Sequence, residues 1–142
     1  MKTSLRITLS ILITCALGLA WGLHFLRMEL ADGADYTEQD TQQYEFYTPD
    51  LLKKMPRITE SYRFHYSNVS GPNPARIFQL RFTGVTDNAP IKTYIERNGY
   101  KKSEACSFAG DCWAGQDPDI RVTVEVREKP RSLLITLVDK RA

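Results

Sequence analysis

The spacing of apolar residues changes character along this chain, and each change marks an element. From Ile7 to Leu26 (ITLSILITCALGLAWGLHFL) twenty residues pass without a Lys, Arg, Asp or Glu. A helix of that length spans about 30 Å, the thickness of a bilayer's hydrocarbon core. Backbone amides cannot stay unpaired in lipid, so the run is read as a transmembrane helix. The stretch from Met28 to Tyr47 is polar and acidic, and reads as a tether with some helical character near Glu38–Phe46.

Beyond the tether the period shortens to two. Tyr62, Phe64 and Tyr66 alternate with Arg63, His65 and Ser67, and Phe78, Leu80 and Phe82 alternate with Ile77, Gln79 and Arg81. Two half-buried strands joined through the VSGPNP loop are predicted, as a hairpin. Ile120, Val122, Val124 and Val126 repeat the pattern, and Ser132–Asp139 returns with apolar residues on both faces, as a central strand does. Tyr100–Cys106 is a further strand candidate, followed by a Gly- and Asp-containing loop over 107–118.

Helical spacing appears twice. Leu51, Leu52 and Met55 follow Thr48-Pro49, a helix start, and precede Pro56. Ile91, Tyr94 and Ile95 define a longer helix over 90–98, with Gly99 supplying the left-handed turn that ends it. The expected fold is α+β: an N-terminal transmembrane helix, then a small antiparallel sheet of about five strands packed against one main helix.

Charge orients the chain. Lys2 and Arg6 precede the apolar run and Arg27 alone follows closely, which favours a cytoplasmic N-terminus. The implied order is a cytoplasmic start (1–6), a signal-anchor (7–26), an acidic tether (27–47) and an extracytoplasmic domain (48–142). This places a single-pass protein in the inner (cytoplasmic) membrane with its C-terminal domain in the periplasm or outside. Cleavage after Gly18-Leu19-Ala20, or lipidation at Cys15, are alternatives that export the same domain. Gly18 and Gly22 form a GxxxG spacing through which a second copy of the chain could pack.

Residues 51–142 carry sixteen Lys/Arg against ten Asp/Glu, while 28–50 carry seven acids and no base. A basic exported domain suits an acidic partner or an anionic surface, and its placement argues against nucleic acid. Cys106 and Cys112 are an even pair in the exported part and are expected to form a disulfide.

Candidate chemistry is sparse. His65 lacks a neighbouring nucleophile pattern, and Asp111, Asp117 and Asp119 lack the spacing of a calcium loop. No catalytic residue, metal or cofactor is assigned. The cystine-braced loop is the first candidate for a binding surface: Phe108 and Trp113 as aromatic anchors, with Arg121, Arg127, Lys129 and Arg131 as a basic rim. The alternative for Trp113 is that it closes the core at the sheet edge. The functional expectation is a non-catalytic, membrane-anchored interaction domain of inhibitor or immunity, envelope-assembly or sensor type, whose partner is another envelope or extracytoplasmic protein. Its rivals are an envelope hydrolase using the loop carboxylates, and a structural membrane subunit assembling through its helix.

Overall fold

The computed structural model describes residues 1–106 and 109–141. It divides into two compact units, 1–31 and 32–142.

The first unit is helix α1 (Lys2–Glu29), 28 residues and long and apolar enough to cross a membrane. Leu12, Leu17, Leu19 and Leu23 all stand more than half exposed, a surface that suits hydrocarbon rather than water. Four of the helix's hydroxyls are satisfied within it, among them Thr8 Oγ1, which donates to Ser4 O, and Thr14 Oγ1, which donates to Ser10 O, each at 2.9 Å. Such back-bonding removes the cost of carrying a hydroxyl into lipid. A Cβ added at Gly18 or Gly22 would meet nothing within 4 Å.

The second unit holds a seven-stranded, wholly antiparallel sheet. In chain order its elements are β1 (Gly33–Tyr36), α2 (Thr41–Tyr47), α3 (Asp50–Lys53), β2 (Tyr62–Val69), β3 (Ala75–Thr83), α4 (Ala89–Arg97), β4 (Lys101–Ser103), β5 (Asp111–Ala114), β6 (Ile120–Glu128) and β7 (Arg131–Asp139). The strands lie in the order β1-β2-β3-β7-β6-β5-β4, which puts β7 at the centre. The α+β class and the β2–β3 and β6–β7 hairpins agree with the alternation in the sequence.

The strand number is seven rather than about five, because two short strands carry too little pattern to be seen. β1 lies in the acidic stretch expected as a tether. Tyr36 pairs with Phe64 and its ring stacks on Phe64 at 5.6 Å, so the folded unit begins at Asp32 rather than near Thr48. β5 lies in the expected loop, where Trp113 pairs with Val122.

One face of the sheet forms the core. Phe64, Leu80, Phe82, Val122, Val124, Leu133 and Ile135 are buried there. All three helices of the unit pack on this face. α4 inserts Ile91 and Ile95, both fully buried, and Asn98 and Gly99 close it, with Gly99 at φ +86°. α2 brings Tyr47 onto Tyr66 at 4.4 Å and Tyr44 edge-on to Phe64 at 5.3 Å. Burial beside Thr48, whose hydroxyl lies 2.9 Å away, pushes the Tyr36 phenol up to about 12.

Arg57 holds the short helices to the sheet. Its guanidinium donates to the carbonyls of Leu52, Lys53 and Met55, and to Glu38 and the Tyr44 hydroxyl. It also lies 5.2 Å from the Tyr62 ring and 5.3 Å from the Phe64 ring, within cation–π range.

Candidate functional site

Strand register assigns every second residue to the face opposite α2, α3 and α4, here the far face. Beyond a short row of Thr83, Ser132 and Arg127 at one end, three rows cross it. The first runs Arg63, Arg81, Leu134, Glu125. The second runs Asp35, His65, Gln79, Thr136, Thr123, Cys112, Ser103. The third runs Gly33, Ser67, Ile77, Val138, Arg121, Ala114, Lys101.

The middle of this face is apolar or neutral and sunk. Leu134 is 6% exposed, Val138 4%, Thr123 4% and Cys112 3%. Its margin is charged and mostly basic: Arg63, Arg81, Lys101, Arg121 and Arg127 against Asp35 and Glu125. A groove of about 370 Å³ opens over the first two rows, lined by Asp35, Arg63, His65, Gln79, Arg81 and Leu134.

Within the groove most polar groups are already engaged. His65 Nδ1 and Asp35 Oδ1 are 2.8 Å apart, and Gln79 Nε2 donates to Thr136 Oγ1 at 3.3 Å. Arg63 and Arg81 are different. They are direct cross-strand partners with exposed side chains, and among the described residues neither guanidinium has a hydrogen-bond or ion-pair partner. Like charges directly opposite each other are unfavourable in a sheet.

The residues singled out from the sequence are dispersed. Cys106 and Cys112 do form a disulfide, which ties the residues after β4 to β5. Trp113 is fully buried on the core face, and its indole Nε1 lies 3.4 Å from Glu96 Oε1 on α4. It therefore closes the core and does not present an anchor; the strand alternation of β5 turns it inward. Phe108 lies outside the described residues.

The basic rim also divides. Arg121 and Arg127 share the far face, but Arg121 Nη1 donates to the Pro118 and Ile120 carbonyls and Arg127 pairs with Glu125 at 3.0 Å. Lys129 stands exposed in the β6–β7 turn, and Arg131 faces the other way, its Nη2 reaching the Thr86 hydroxyl. Arg63 and Arg81 were missed because they read as the solvated half of an alternating strand. The signal was available, since β2 and β3 were expected to pair.

The carboxylates of the hydrolase alternative do not converge. Asp111 meets Lys92 at 2.6 Å and Lys102 at 3.4 Å, and its hydrogen bond to Lys92 holds its carboxyl below the ordinary range. Asp117 pairs with Arg141 at 3.1 Å, and its Oδ1 also accepts the backbone N–H of Asp119. Among the described residues no group of three or more His, Cys, Asp or Glu is arranged to hold a metal ion. No protein-family model, curated protein or solved structure matches the chain.

Proposed function

We propose that this chain is a non-catalytic, membrane-anchored interaction protein whose α+β domain is exported and docks another envelope or extracytoplasmic protein. The observation that carries the reading is the far face, which among the described residues no helix of the domain covers and which combines a recessed, largely buried apolar centre with an exposed basic margin. A face of that composition is built for contact rather than for solvation alone. The separate neutralisation of Asp111 and Asp117 by lysine and arginine partners weighs against a hydrolytic centre in the same domain.

Export is supported by the N-terminal charge balance and by the Cys106–Cys112 disulfide, a bond that oxidising compartments favour. Only Leu30, Ala31 and Asp32 separate α1 from β1. The chain thus links membrane segment and domain without a long tether. Inhibitor, assembly and sensor roles all use such a domain.

The placement is tested with Thr93→Cys in a Cys15→Ser background, because Thr93 is exposed on α4. A membrane-impermeant maleimide added to intact spheroplasts should label it. Labelling only after lysis would put the domain in the cytoplasm and end the proposal.

A further inference from the structure

We propose that Arg63 and Arg81 form a clamp for a carboxylate carried by an acidic segment of the partner protein. The inference rests on the far face being the partner face, and it names the chemistry that face recognises.

Both guanidinium groups have hydrogen-bonding valence that no described residue meets. Two guanidinium groups offer ten N–H donors between them in planar forks suited to carboxylate oxygens. Their Cβ atoms stand about 5 Å apart across the β2–β3 ladder, close enough for one acid to meet both. The other arginines of the face are occupied, Arg121 by backbone carbonyls and Arg127 by Glu125. Asp35, the acid of the adjoining row, is held by His65. Leu134 sits beside Arg81 as an apolar floor, so an entering side chain finds methylene contact below and charge above.

The shape of the face favours a protein segment over a lipid headgroup layer. The apolar centre is sunk below the charged margin, which suits a side chain reaching in. Among the described residues, the domain's exposed large apolar side chains are Phe46, Val69 and Val126, and of these only Val69 shares the far face, at the end of β2. One marginal valine is a poor wedge for a bilayer.

The test uses the intact chain in nonionic detergent micelles and a fluorescein-labelled peptide of alternating Glu and Leu, read by fluorescence anisotropy. The peptide should bind, its Gln-for-Glu analogue should not, and binding should weaken as salt is raised. Arg63→Gln with Arg81→Gln should weaken binding about tenfold or more, and the double Lys variant should fall between. Thermal melts of each variant confirm that it is folded.

Unchanged affinity in the double Gln variant overturns the clamp. If affinity is lost instead in Arg121→Gln with Arg127→Gln, the far face still docks and only the assignment to Arg63 and Arg81 falls. Absence of peptide binding also overturns the proposal. So does preferential binding of phosphatidylglycerol vesicles through Arg63 and Arg81, which would make a lipid phosphate the ligand.

Discussion

The Trp113 indole lies 3.4 Å from the Glu96 carboxylate, joining the short strand β5 to helix α4 at the edge of the core. Lys92, on the same helix, reaches Asp111 of the same strand at 2.6 Å. Together these contacts seat α4 over the β5–β6 half of the sheet. With Trp113 fully buried, Trp113→Ala should cost about 3–5 kcal/mol, as other large core truncations do. Trp113→Phe should cost clearly less. Denaturant melts followed by circular dichroism check both, and a melt unchanged by the alanine would contradict the burial.

The opposed arginines on β2 and β3 predict a trade between stability and binding. Replacing either Arg63 or Arg81 by Gln removes a like-charge pair that no described residue offsets with a hydrogen bond or ion pair. Each single substitution should raise stability by about 0.2–1 kcal/mol, more at low salt than at high. Thermal melts at two ionic strengths read this directly. A loss of stability would mean the two guanidinium groups serve the fold.

Arg57 should be the least replaceable surface-derived cation. It satisfies the carbonyls of Leu52, Lys53 and Met55, which end the short helix α3. Arg57→Met keeps bulk near the Tyr62 and Phe64 rings but leaves those acceptors unmet. The expected loss is about 3 kcal/mol, and Arg57→Lys should recover little of it because an ammonium cannot copy the planar fork. Denaturant midpoints of the two variants provide the check.

Acid should weaken the C-terminal end of β7. Asp139 accepts from Arg141 Nε at 2.9 Å and Nη2 at 2.8 Å, and these bonds lower its carboxyl to about 2. A carboxyl depressed by folding contributes stability that is full above its unfolded value and is lost as pH falls through the folded one. The window therefore runs from about pH 4 down to about pH 2. Asp139→Asn should flatten the pH dependence of the melting temperature in that window. At neutral pH it should cost about 1–3 kcal/mol.

Much of the architecture was legible because it rests on local periodicity. The long strands β2, β3 and β6 repeat the period of two for eight or nine residues, β7 reads as a run apolar on both faces, and α4 carries both a turn signal and a helical stripe. β1 and β5 are four residues each and exist through their partners, Phe64 for Tyr36 and Val122 for Trp113. No window of sequence contains that pairing. The candidate site was hidden for a related reason. Arg63 and Arg81 are eighteen positions apart and each is an ordinary exposed strand residue alone. Their meaning comes from register, and from which neighbours are already bonded.

Photo-cross-linking in intact cells tests most directly whether the far face is the working face. A benzophenone side chain is placed at Gln79, in the groove, and in a second strain at Thr93, on the exposed side of α4. A discrete protein adduct from Gln79 and none from Thr93 is the expected result. No adduct from Gln79, or the same adducts from both positions, would contradict the account.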